Sequence, residues 1–218
     1  MVFDKETCSG SLSSSDFRIA ANAFAEKWNK FNSGFPDWLW IDCSNRLGFV
    51  ARSDGYLSIQ NVILQTPFKE ERDEGTSDDI EEPFDDATLV ESNDEDGHEY
   101  EFHIVYSPCY RVPVLYFRAH NNEGQPLNLD QIEKNLPTKS SKVLIESKWT
   151  FITLQEHPYL DRPWYTLHPC GTSDWMKLLG ATDNSTEGGI DQYLVSWFSV
   201  VGQVFGLELP FEMFKRSS

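Results

Sequence analysis

Phe17, Ala20, Ala21, Phe24, Trp28 and Phe31 recur at intervals of three and four, which places them on one face of a helix from Asp16 to about Asn32. Ser14, Ser15 or Asp16 stands where an N-cap is needed, and Gly34 and Pro36 end the pattern. The polar face mixes Arg18, Glu26, Lys27 and Lys30, whereas helices lying on a membrane favour one positive sign, so this face is expected to meet a core. The period then changes to two. Residues 47–52 and 56–64 flank Ser53-Asp54-Gly55, a tight-turn signal, and predict a hairpin with Leu57, Ile59 and Ile63 facing one way and Ser58 and Gln60 the other. Further on, Tyr100, Phe102, Ile104 and Tyr106 alternate with Glu101, His103 and Val105, and residues 111–119 give a second run in which Pro113 marks a bulge or a sheet edge. A turn at 121–126, a short helix at 129–136 and a strand at 149–155 follow. Finally Ile190, Tyr193, Leu194, Trp197, Val201, Val204 and Phe205 form an apolar helical face after Gly188-Gly189. A helix, a run of strands and a closing helix, without internal repeats, predict an α+β domain with an antiparallel sheet packed on helices.

Composition adds a contrast. The 218 residues include seven Trp, eight Tyr and fifteen Phe, ample for one packed interior. Of the formal charge of −17, residues 70–99 carry −14, from fifteen Asp or Glu against Arg72 alone. The rest of the chain is nearly neutral. Residues 66–97 therefore read as an acidic mobile loop inserted in a single domain over 16–212, with tails at 1–15 and 213–218. The loop is either a solvated insertion or a docking segment for a basic partner surface. This balance argues against nucleic acid, which is bound through clustered Lys and Arg, and against an anionic membrane. No basic start with an apolar run opens the chain, and the nearly apolar stretch 194–207 is shorter than the roughly 20 residues a spanning helix needs, so a cytoplasmic protein without direct membrane insertion is expected.

Cys8, Cys43, Cys109 and Cys170 are far apart, with no CxxC pair and no Cys/His spacing that suggests zinc. The informative stretch is Gln155-Glu156-His157-Pro158, followed by His168-Pro169-Cys170-Gly171-Thr172. Thr172 or Ser173 as N-cap, with Trp175, Leu178 and Leu179 on one face, would start a helix just after Cys170, where partial positive charge suits a nucleophilic sulfur. His168 stands two residues before it. Cys8, Cys43 and Cys109 read as passive, His157 as structural, and Asp174 as a first-turn residue that either supports the helix start or orients an incoming lysine.

These two His-Pro elements and the cysteine resemble the active-site block of the autophagy-related E2-like conjugating enzymes. The likeness extends to residues 110–119 (YRVPVLYFRA), Gly124-Gln125-Pro126-Leu127, and residues 193–210 with Trp197, Val201-Gly202 and Gly206-Leu207-Glu208-Leu209-Pro210. It covers most of residues 100–210 and leaves out the acidic stretch. The resemblance implies an E2-like fold. It implies that Cys170 accepts a ubiquitin-like modifier (autophagy-related twelve) as a thioester from an E1-like activating enzyme (autophagy-related seven), for transfer to a lysine of an acceptor protein (autophagy-related five). Neither metal nor organic cofactor is implied. Ubiquitin E2 enzymes place a His-Pro-Asn element several residues before the cysteine, with the Asn helping the oxyanion. Here the His-Pro runs straight into Cys170, which leaves His168 or a backbone N–H near Gly171 as the donor. Competing readings are the sister branch, which lipidates autophagy-related eight, a cysteine protease pairing Cys170 with His98, His103 or His120, and a non-catalytic E2-like binding module.

Overall fold

Ser13 starts the first helix. Its Oγ accepts the Asp16 N–H while the Asp16 carboxylate accepts the Ser13 N–H, a capping box that satisfies two donors and is worth about 1 kcal/mol. The computed structural model describes residues 10–43, 55–65, 97–137, 152–179 and 188–215. In it helix α1 runs Ser14–Phe31, so Asp16, expected at the helix start, is the third helical residue. Residues 10–15, expected as the end of a tail, belong to the fold, with Leu12 buried. Asn32 closes the helix, donating its N–H to the Trp28 carbonyl.

Six strands form one antiparallel sheet: β1 (Leu39–Asp42), β2 (Gly55–Leu64), β3 (His98–Ser107), β4 (Val112–His120), β5 (Ile152–Glu156) and β6 (Pro163–Leu167), in the order β1-β2-β3-β4-β6-β5. The short α2 (Leu129–Asn135) carries its own Asn128/Gln131 capping box. Among the described residues two more helices follow, α3 (Thr172–Leu178) and α4 (Gly188–Val201), the latter running into a 3-10 turn over Gly202–Phe205. The partner of β2 on its outer side is β1, with Asp42 opposite Gly55 and Trp40 opposite Leu57. The 47–52 arm lies outside the described residues. Within β2 the register shifts between Ile59 and Val62, and Asn61 adopts φ 59. This bulge flips the pleat, so Val62 is buried at 1% exposure while Ile63, expected on the face of Leu57 and Ile59, is 58% exposed. Pro113 pairs with Tyr106 of β3 at the end of β4 beyond its pairing with β6, which involves Tyr116 and Phe117.

The two sheet faces are covered differently. Helices α1 and α4 pack on one, where Phe17, Phe24, Trp28, Trp38 and Phe198 join Tyr100, Phe102, Phe117 and Phe205. Met213 is also fully buried there, within a 3-10 turn at Phe211–Phe214, so the C-terminal tail expected from 213 begins later. On the other face Tyr56, Val105, Val114, Tyr116 and Trp164 are covered by the turn between β5 and β6, whose Tyr159 stacks on Tyr56 at 5.3 Å. No helix among the described residues is long and apolar enough to cross a membrane.

Candidate active site

Strand β6 delivers the chain to His168. Its last residue, Leu167, is buried in the helix-side core, and Pro169 after it is buried too. The Thr172 N–H donates to the Pro169 carbonyl at 3.1 Å, and the Asp174 and Trp175 N–H groups both donate to the Gly171 carbonyl. Between them the chain turns through Gly171 at φ 88, a left-handed conformation that glycine adopts without strain. Gly171 is thus the N-cap of α3, in place of the expected Thr172 or Ser173, and no side chain caps the helix. The buried face of α3 also differs from the expected one. Thr172 and Met176 point inward and Trp175 is half-buried, while Leu178 is 88% and Leu179 51% exposed. Asp174 reaches Lys177 at 3.5 Å, an exposed pair one turn apart.

Cys170 is a partly exposed free thiol at the start of this turn. Its backbone N–H donates to Nδ1 of His168 at 3.1 Å. A nitrogen that accepts carries no hydrogen, so the ring hydrogen of His168 sits on Nε2 and remains available as a donor. The ring meets Tyr110 edge-on, with centroids 5.8 Å apart, and Tyr110 belongs to the turn joining β3 to β4. His168 therefore holds the main chain of Cys170, and the Cys170 N–H is committed to that bond. The N–H of Gly171 has no partner among the described residues.

A second polar group lies beneath the β5–β6 turn. The Tyr159 N–H donates to Nδ1 of His157 at 3.2 Å, Nε2 of His157 lies 2.9 Å from Nδ1 of His103, and Nε2 of His103 lies 3.2 Å from Oε1 of Glu101. One assignment satisfies all four ring nitrogens: both rings neutral with hydrogen on Nε2, His157 donating to His103 and His103 to the ionised Glu101, whose other oxygen accepts from Arg118 at 2.9 Å. Arg118 in turn covers the Trp164 ring at 4.4 Å. Burial holds the His103 and His157 pKa values down, that of His157 to about 3, and a proton on His103 would oppose a second one on His157. Burial alone would raise Glu101, but the hydrogen bonds from His103 and Arg118 and their charges outweigh it and bring it to about 2. With His157 N–H bonded to the Arg162 carbonyl and its own carbonyl accepting from Leu160 and Asp161, this network fixes the turn that leads into β6.

The geometry separates the histidines. Both ring nitrogens of His103 are engaged in the network. His98 and His120 stand at the opposite end of β3 and β4 from Tyr110, eight or more residues at about 3.3 Å each. No protease dyad forms with Cys170 among these three. Cys43 donates weakly to the Ile41 carbonyl at 3.8 Å, Cys109 is exposed, and Cys8 lies outside the described residues. Sequence reading missed the network and Tyr110. The one available signal was Glu101 and His103 at a same-face spacing of two in a strand that alternates with Tyr100, Phe102 and Ile104.

Comparison with known proteins agrees with the motif. Residues 16–212 match the family model described as autophagocytosis associated protein, active-site domain. The chain is 48% identical to the ubiquitin-like-conjugating enzyme ATG10 of Arabidopsis thaliana, over 96% of this chain and 97% of that one. It is 38% identical to the human enzyme of the same name, over 64% and 63%. Autophagy-related protein 3 of Saccharomyces cerevisiae is 24% identical over 74% of this chain and 70% of that one. Among solved structures, a crystal structure of the autophagic E2 Atg10 aligns with 87% of this chain and 96% of its own, at 16% identity and a TM-score of 0.43.

Proposed function

The chain belongs to the ATG10 family of ubiquitin-like-conjugating enzymes, and from that premise we propose that Cys170 carries the modifier autophagy-related twelve on its way to a lysine of autophagy-related five. The chain is an E2-like transferase. The Cys170 thiolate attacks the carbonyl of the modifier's thioester on the E1, autophagy-related seven. The E1 cysteine leaves as thiolate and the modifier now rides on Cys170. In the second step the acceptor lysine, as free amine, attacks the same carbonyl. The tetrahedral oxyanion collapses, the Cys170 thiolate leaves, the nitrogen sheds its proton to solvent and an isopeptide bond remains. ATP is consumed by the E1. The observation that carries the assignment is the His168-Pro169-Cys170 turn: a partly exposed thiol whose backbone is bonded to the neighbouring imidazole. The Nε2–H of His168 and the N–H of Gly171 are the two free donors beside it, and they are the proposed oxyanion partners. The match to the ATG10 enzyme at 48% identity, against 24% for the autophagy-related protein 3 relative, favours the lysine-directed branch over lipid conjugation.

The test is a charging reaction with purified E1, ATP and candidate modifiers, followed on a non-reducing gel. The expected product is a thiol-sensitive adduct with autophagy-related twelve that vanishes in Cys170→Ala. In Cys170→Ser it becomes an adduct resistant to thiol, because an oxygen ester replaces the thioester. A folded chain that charges with no modifier overturns the assignment.

A further inference from the structure

Residues 10–12 reach the elements on both sides of Cys170. The Leu12 N–H donates to the Arg111 carbonyl at 2.8 Å, and the hydroxyl of Tyr106 donates to the Leu12 carbonyl at 2.9 Å. Both partners belong to the β3–β4 hairpin, and Arg111 directly follows Tyr110, whose ring meets His168. On the other side the buried hydroxyl of Tyr193, in α4, donates to the Gly10 carbonyl at 2.7 Å. Gly10 itself presses on α3. A Cβ there would lie 1.9 Å from the Ser173 carbonyl oxygen and 2.9 Å from Cγ of Lys177, and the residue holds φ +65. Helix α3 has few other holds. It spans seven residues, buries only Thr172 and Met176, and exposes Leu178 almost fully.

We propose that residues 10–12 are a positioning strap for Cys170, clamping the first turn of α3 against the β3–β4 hairpin and so fixing the thiol relative to His168. The inference rests on the reading of Cys170 as the thioester carrier. Gly10 is the residue that admits this contact, since any side chain meets main-chain atoms of the helix that begins two residues after the thiol. Tyr193 is the latch that holds the strap down. A displacement of α3 by a fraction of an ångström changes the line of attack on the thioester more than it changes the outer surface of the fold.

The experiment compares Gly10→Ala and Tyr193→Phe with the parent in the full chain. Alkylation of Cys170 by iodoacetamide is followed by peptide mass spectrometry, with exposed Cys109 as internal reference. E1-dependent charging is resolved into kcat and KM. Gly10→Ala is expected to change the Cys170-to-Cys109 alkylation ratio severalfold and to lower kcat on the order of tenfold, with KM for the charged E1 held within about twofold. Tyr193→Phe is expected to move both in the same direction by less. A variant that melts earlier but keeps the parental ratio and kcat in its folded fraction overturns the proposal, because the strap is then stability alone. If Gly10→Ala does not fold, Tyr193→Phe decides by the same readouts. A ratio that changes in the variants, when the parent chain itself is charged by no E1, would leave the strap standing and remove the conjugation reading instead.

Discussion

His168 does two separable jobs in this geometry. Nδ1 accepts the Cys170 N–H at 3.1 Å, which sets the cysteine's backbone, and Nε2–H is left to meet a developing oxyanion. An Asn at 168 replaces the first, since its side-chain oxygen can accept the N–H two residues on, and its amide offers a donor in roughly the second place. His168→Ala removes both. Single-turnover discharge to lysine is therefore expected to fall by about 10² in His168→Ala, the scale of a lost oxyanion donor, and by clearly less in His168→Asn. Parental discharge by His168→Ala would reduce His168 to a structural residue and leave Gly171 N–H as the donor. His157 calls for a different measurement. Its folded pKa of about 3 lies below the ordinary 6.5, so between those values the unfolded chain binds a proton that the folded chain refuses. Stability then drops as pH falls below about 6.5, by about 1.4 kcal/mol per unit for each such histidine, and His103 shifts in the same direction. Glu101, lowered from 4.5 to about 2, adds its own loss only below about pH 4.5. Urea unfolding at pH 7.5 and 5.5 should show a deficit of about 1–3 kcal/mol at the lower pH. His157→Gln, which can still accept from Tyr159 and donate to His103, should fold and lose part of that deficit; an unchanged pH dependence would mean that His157 is not the group responsible.

At the level of elements, the hydrophobic period read α1 and α4 correctly because each is a long amphipathic helix whose stripe must face the sheet. The same reasoning placed the alternation of Tyr100, Phe102, Ile104 and Tyr106, all buried on the helix side. It failed where a local signal competed with a distant partner. Strand β1 is four residues long and too short to show a period, so its pairing with β2 could not be read from the chain. The bulge at Asn61 was illegible because Gln60 and Asn61 look like ordinary exposed strand residues, and only the pairing with β3 forces the extra residue. The contact between His168 and Cys170 was legible because the two stand two residues apart in sequence. The His103–His157 bond joins positions 54 residues apart, which no spacing reveals. The bulge carries a direct prediction. Val62→Ala should cost about 1–3 kcal/mol, the loss from a buried valine, while Ile63→Ala should cost less than about 0.5 kcal/mol. The reverse order in denaturant midpoints would restore the uninterrupted register.

Across the whole molecule, the net charge is concentrated in one part of the chain. Leu64 pairs with His98 at the end of the β2–β3 ladder, so the chain that leaves at 65 and returns at 97 needs only to reverse direction there. Residues 66–96 carry most of the net charge of −17, and the hairpin they connect holds its register up to Leu64 and His98. Replacing them with a four-residue turn lowers the entropy of closing the hairpin, by about 1–2 kcal/mol on the logarithmic dependence on loop length. It also removes a block of like charges that repel one another. Gly97 has to be kept, since a Cβ there would stand 2.6 Å from the Leu64 carbonyl oxygen. The shortened chain is expected to fold and to melt no lower than the parent. With stability equal, conjugation rates isolate what the acidic stretch does for partners. If it docks on a basic surface, the shortened chain charges or discharges more slowly at sub-saturating partner in low salt, and the gap narrows as added salt screens the attraction. Equal rates at both ionic strengths would make the stretch a solvated insertion, and would place recognition of the partners on the nearly neutral folded surface.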